Sequence, residues 1–247
     1  RHAVLGFNIS ITDVENGSRY TFTSQPAQHN TPPIWSPDGT HIAFGSLRQG
    51  LWGIYQKASS GVGAEELLFE SKSQILPMDW SRDGRTIVFW VNESTTAGDL
   101  WRLPLQGDRN PAPFLQTPAA EQHAQLSPDG RWLTYASTET GRGEVYVQSF
   151  PSGGTKYQLS VDGALLPRWR HDGKEILFMS RLGPGRVTSV TLQPAGDGLK
   201  FSTPQFLFES GYVNWAHSET GRGIYQGFAV SPDGQRFIVP VQRTSAG

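Results

Sequence analysis

Five segments of the chain carry one pattern: WSPDGTHIAFGS (35–46), WSRDGRTIVFW (80–90), LSPDGRWLTYAS (126–137), WRHDGKEILFMS (169–180) and VSPDGQRFIVPV (230–241). In each, an apolar residue, usually Trp, precedes a four-residue turn, and apolar residues then alternate. Proline fixes φ at the first turn position, aspartate accepts bonds from nearby backbone amides, and glycine takes the left-handed conformation that closes the turn. The pairs Ile42/Phe44, Ile87/Phe89, Leu133/Tyr135, Ile176/Phe178 and Phe237/Val239 alternate as a half-buried strand requires. The turn aspartates are Asp38, Asp83, Asp129, Asp172 and Asp233, at spacings of 45, 46, 43 and 61 residues. Three spacings fit a repeat of roughly 40–50 residues, and the fourth requires an insertion, which 210–226 supplies. Serine beside aspartate resembles a chemical pair in a single copy. Recurrence at repeat spacing assigns it to hairpin closure instead, so Asp38→Ala is expected to weaken folding without selectively removing binding.

Each repeat continues with a third strand: LWGIYQK (51–57), DLWRLPL (99–105), EVYVQSF (144–150) and RVTSVTL (186–192). A short fourth strand follows at EELLF (65–69), APFL (112–115), KYQL (156–159) and QFLF (205–208). Four short antiparallel strands per repeat form the blade of a β-propeller. The predicted fold is therefore all-β, a single propeller domain over 1–247, with blades at 32–70, 77–116, 123–160 and 166–209. The ends complete each other. NISITDV and SRYTFT around Asn16-Gly17 read as third and fourth strands, and 227–242 reads as first and second strands. A fifth blade of 227–242 with 7–23 would close the ring and leave no open edge.

Composition agrees with one large, loop-rich domain. The chain has 247 residues, 28 Gly and 17 Pro, and no 3.6-period segment long enough for a stable helix. Its net charge of −1 lacks the basic excess that a nucleic-acid or membrane surface needs. No run of about 18 apolar residues is present, so no membrane insertion is expected. The absence of cysteine excludes disulfides, thiol nucleophiles and cysteine-based zinc sites. The chain opens on Arg1 with no visible secretory leader, and is expected to be a fragment or a processed product.

The WSPDG-x-x-IAF pattern and the LW or IY strands after it resemble the WD40-like repeats of TolB-type propellers. The stretches 99–137, 145–160 and 167–180 look more closely like propellers C-terminal to bacterial serine/threonine kinase domains. Related propellers also precede the hydrolase domain of prolyl-oligopeptidase-like peptidases. The resemblance implies a sensing, scaffold or protein-binding module of a larger bacterial protein, in an extracytoplasmic or periplasmic setting. Such relatives usually have six blades. Five are counted here, so the ring is five-bladed or a sixth blade lies upstream.

No catalytic signature is present: no Gly-x-Ser-x-Gly elbow, Gly-rich phosphate loop, kinase catalytic loop or His-Glu-x-x-His. His2, His29, His41, His123, His171 and His217 form no metal-ligand pair at short spacing, and no cofactor is implied. The expectation is a non-catalytic domain binding a protein or peptide partner, or a small ligand in the central channel. Candidate positions are the loops entering each first strand, which gather at one mouth: His29, Asn30, Gln74, Gln122, His123 and Asp162. Asp79 and Arg168 break the apolar pattern just before the Trp position, either as an inter-blade ion pair or pore lining, or as holders of a polar ligand. The insertion offers Tyr212, Trp215, His217, Arg222 and Tyr225, residue types that anchor interfaces or cap a channel. ETGRG at 139–143 and 219–223 is shared turn chemistry. Trp35, Trp80 and Trp169 are expected in the core. The alternative is a propeller hydrolase or lyase, which requires at least two of His29, Asp79, His123, Asp162 and His217 to converge.

Overall fold

The computed structural model describes residues 8–23, 29–93, 96–180, 185–209, 228–231 and 233–238. Among them there is no helix, and so none long and apolar enough to cross a membrane. An N-terminal hairpin pairs β1 (Ser10–Thr12) with β2 (Arg19–Thr21). The first full sheet contains β3 (His29–Asn30) and β4 (Ile34–Trp35), both on β5 (His41–Arg48), followed by β6 (Leu51–Ala58) and β7 (Glu66–Ser71). The second runs β8 (Ile75–Trp80), β9 (Thr86–Val91), β10 (Asp99–Pro104), β11 (Ala112–Leu115). The third runs β12 (Glu121–Leu126), β13 (Trp132–Ser137), β14 (Glu144–Ser149), β15 (Lys156–Gln158). The fourth contains β16 (Ala164–Trp169), β17 (Glu175–Ser180), β18 (Arg186–Ala195) and β20 (Gln205–Glu209). An additional strand, β19 (Gly198–Phe201), folds back on the far end of β18. A C-terminal hairpin pairs β21 (Ala229–Val230) with β22 (Phe237–Ile238). Every pairing is antiparallel and joins sequence neighbours, apart from β3 with β5 and the return of β20 to β18.

The repeated turn is built from its own side chains. Ser36 donates its hydroxyl to Asp38 Oδ1 at 2.6 Å and accepts the His41 amide at 2.9 Å. Asp38 also accepts the Thr40 amide, and Gly39 sits at φ +70°. The Ser36 hydroxyl and the Thr40 amide hold the Asp38 carboxyl down at about 2. The same bonds recur at Ser81/Asp83, Ser127/Asp129 and Ser231/Asp233. In the fourth sheet, where serine is absent, Arg170 takes over with an ion pair to Asp172 at 2.6 Å. The aspartates are structural, as the repeat spacing indicates.

The sheets stack face to face through apolar clusters that follow chain order. Phe69 of the first sheet meets Phe89 of the second, with ring centroids 5.6 Å apart. Phe114 meets Phe150 between the second and third, and Tyr157 meets Phe201 between the third and fourth. Phe228, Val230 and Phe237 of the C-terminal hairpin pack on Leu177, Met179 and Val187 of the fourth. Ile9 and Phe22 of the N-terminal hairpin pack on Ile42, Phe44 and Tyr55 of the first. Each second strand therefore lies between two neighbours. Val88 is as fully buried as Ile87 and Phe89, because the alternate face meets the next sheet rather than water.

Trp35 corrects one expectation. It is 52% exposed, whereas Trp169 is buried and Trp80 half-buried. Trp80 and Trp169 each pack in the cluster shared with the preceding full sheet. The N-terminal hairpin beside Trp35 has strands of only three residues and covers Ile42, Phe44 and Tyr55 instead.

Candidate functional site

The first strand of every full sheet is interrupted at the same place. It is split into β3 and β4 in the first sheet, and its register shifts between Pro77 and Asp79, Gln122 and Gln125, and Leu165 and Arg168 in the others. His123 and Leu166 occupy equivalent positions in these bulges, each at φ 58°. A bulge re-aims the side chains that follow it. Here those are Asp79, Gln125 and Arg168.

Two of the three tie neighbouring sheets together. Asp79 Oδ2 accepts the Leu126 amide at 2.7 Å, and Gln125 Oε1 accepts the Trp169 amide at 2.7 Å. The side chain before the Trp position thus holds the backbone of the Trp position in the next repeat. Arg168, a donor only, cannot continue the series, and its Nη1 donates to its own neighbour, the Pro167 carbonyl, at 2.8 Å. Asp79 and Arg168 do not form the direct ion pair weighed from the sequence. No Arg168 nitrogen lies within 4.0 Å of an Asp79 oxygen, and the two interact only through their longer-range charges. Burial pushes the Asp79 carboxyl up to about 6, against the Leu126 and Trp80 amides and the charges of Arg168 and Arg82. Burial likewise lowers Arg168 from the usual guanidinium range.

Above this layer lies a cavity of about 430 Å³. Its rim is made by equivalent turn positions: Pro37, Arg82, Pro128 and His171 from the four full sheets, with Val230 from the C-terminal hairpin. Asp79, Gln125 and the three Trp-position residues Trp80, Leu126 and Trp169 form much of the wall. Residues from five repeats can line one cavity only if it sits where the repeats converge. Arg82 Nη2 reaches the His171 carbonyl at 3.1 Å, joining the second and fourth sheets across the third. Arg170 is held by Asp172 and Glu175 through three bonds. The cavity therefore opens at the turn ends of the first strands.

The other sequence candidates lie elsewhere. His29 packs edge-to-face on Trp52 with centroids 5.6 Å apart. Asp162 lies 4.0 Å from Arg142. His123 sits within the bulge of β12. Tyr212, Trp215, His217, Arg222 and Tyr225 fall outside the described residues. The described residues contain no group of three or more His, Asp and Glu side chains able to hold a metal ion. Arg82, His171 and Gln125 were not singled out from sequence as site residues. The available signal was the replacement of the turn proline by Arg82 in SRDG and by His171 in RHDG.

No family model matches the chain. Its structure is similar to TolB from Acinetobacter baumannii at 20% identity and a TM-score of 0.64, covering 80% of this chain and 49% of that one. The chain thus spans about half the length of that relative. A putative TolB from Agrobacterium tumefaciens matches at 17% identity and a TM-score of 0.52, covering 95% of this chain and 98% of that one. Oligogalacturonate lyase from Vibrio parahaemolyticus matches at 12% identity and a TM-score of 0.57, covering 78% and 59%. The chain is a β-propeller. At these identities the likeness shows the fold alone, and the propeller neighbours include both TolB proteins and an enzyme.

Proposed function

We propose that this propeller is a non-catalytic binding domain, and that it holds a protein, peptide or small ligand at the turn-side mouth of its axis. The observation that carries this reading is the 430 Å³ cavity lined by five repeats, within the usual range for ligand pockets, where charged and polar groups converge beside Trp80, Leu126 and Trp169. The reading takes the terminal hairpins as two halves of one shared fifth blade. That is consistent with their packing on the first and fourth sheets, although no ladder joins them among the described residues. It also takes the domain as the sensor or scaffold part of a larger bacterial chain, as the resemblance to kinase-attached propellers suggests.

One observation favours a second reading, a propeller hydrolase or lyase. A carboxyl raised to about 6 in a cavity beside His171 is the kind of group that general acid–base chemistry uses. The Asp79 bond to the Leu126 amide gives that group a structural task already. Amide chemical-shift mapping with a panel of blocked tripeptides tests the binding reading. Shifts are expected at 79–82, 125–128 and 169–171. Shifts confined to the loops at 29–30, 122–123 and 162 would refute it, and turnover abolished by Asp79→Asn would favour the second reading.

A further inference from the structure

We propose that the axial cavity takes a carboxylate, presented by an acidic peptide segment, on the guanidinium of Arg82. This rests on the reading of the cavity as a binding site. Arg82 is exposed, and its one described bond is to the neutral carbonyl of His171. A guanidinium has five donors and binds carboxylates through two parallel bonds, which are stronger than bonds to a neutral carbonyl. Neither Arg82 nor Arg168 takes part in any of the described ion pairs, whereas Arg170 on the same rim holds both Asp172 and Glu175.

Asp79 is the one carboxylate among the described lining residues, and its Oδ2 is committed to the Leu126 amide. Two arginines act on it. Of the two lining arginines, Arg170 is already held by Asp172 and Glu175, which leaves the Arg82 guanidinium as the one to pair with an anion. A singly charged carboxylate matches that one guanidinium, whereas a doubly charged phosphate would exceed it and add repulsion with Asp79. The position of Arg82 adds selectivity. It replaces a turn proline, so it projects from the rim of a half-enclosed space. An incoming carboxylate would exchange the His171 carbonyl for a charged partner, and the carbonyl would return to water.

The test is calorimetric titration of the chain with Ac-Gly-Glu-Gly-NH2 and its neutral analogue Ac-Gly-Gln-Gly-NH2, with Gly-Gly-Gly as free acid and as amide, and with inorganic phosphate. The glutamyl peptide is expected to bind at least roughly tenfold more tightly than the glutaminyl one. Arg82→Gln is expected to abolish that preference, and Arg131→Gln, at a turn outside the cavity, to preserve it. Preference for the Gly-Gly-Gly acid over its amide would identify a chain terminus as the source of the carboxylate and still support the proposal. Equal binding of the charged and neutral peptides, no binding of any acidic peptide at about 10 mM, tighter binding of phosphate, or a preference that survives Arg82→Gln would overturn it. Equal binding that still maps to 79–82 and 169–171 would leave the cavity as a binding site and reject only its charge selectivity.

Discussion

Asp79→Asn separates the bond that this side chain makes from the charge that it buries. The asparagine keeps an amide oxygen to accept the Leu126 N–H and loses the ionisation. Burial raises the carboxyl from 3.8 to about 6. At 1.36 kcal/mol per unit, that shift is worth about 3 kcal/mol. The sign follows from proton binding. Below pH 4 both folded and unfolded chains hold the proton, and no charge is buried. Between pH 4 and 6 the folded chain keeps the proton while the unfolded chain releases it, so stability falls as pH rises. Above pH 6 both are ionised, and the folded state carries the whole cost. The variant is therefore expected to be more stable than the wild type at pH 7.5 by up to about 3 kcal/mol, or about 6–12 °C in Tm for a chain of this size. The difference should shrink to about 1 kcal/mol at pH 4.5 and toward zero below pH 4. Urea denaturation followed by tryptophan fluorescence at several pH values measures it, provided the m value is unchanged. A variant no more stable than wild type at pH 7.5, or a difference independent of pH, would refute the electrostatic reasoning.

Glu121→Gln follows the same logic at the junction of the second and third sheets. Burial, with the charge of Asp99, raises Glu121 to about 6, so the variant should gain about 2 kcal/mol at pH 7.5 and lose that gain by pH 4.5 in the same denaturation series. Gln125→Leu leaves the Trp169 amide without its acceptor and should cost about 1–3 kcal/mol in urea unfolding at any pH from 5 to 8. Asp38→Ala should lower Tm in a calorimetric scan while leaving peptide binding at the cavity intact. Normal Tm with lost binding would contradict its role as a hinge of the hairpin.

The repeat made the blades legible because turn chemistry and strand alternation are local. Ser-Pro-Asp-Gly closes its hairpin through bonds spanning at most five residues, and the second and third sheets pair strictly in chain order. What was less legible depends on neighbours distant in sequence. The burial of Val88 reflects a third sheet on its far side, and the exposure of Trp35 reflects the small face of the N-terminal hairpin. The β19 return is not legible in the sequence, because Gly198–Phe201 only extends the end of β18 and lies outside the four-strand period. Gln125 gave no pattern, since its partner is a backbone amide 44 residues away. The sequence points instead to the entry loops at the opposite ends of the first strands, because the repeated turns read as hairpin closure. They are structural, yet the positions within them that depart from the repeat, Arg82 and His171, form part of the rim.

Binding at the turn-side mouth is tested most directly by site-specific photo-crosslinking of the full chain with a defined probe. A benzophenone side chain is placed singly at position 171, on the cavity rim, and at position 162, at the entry to the fourth sheet. Each protein is irradiated with saturating Ac-Gly-Glu-Gly-NH2. The expected result is a peptide adduct at 171 that is lost on adding Arg82→Gln, with none at 162. Adducts at 162 alone, or none at 171 under conditions where calorimetry detects binding, would contradict it.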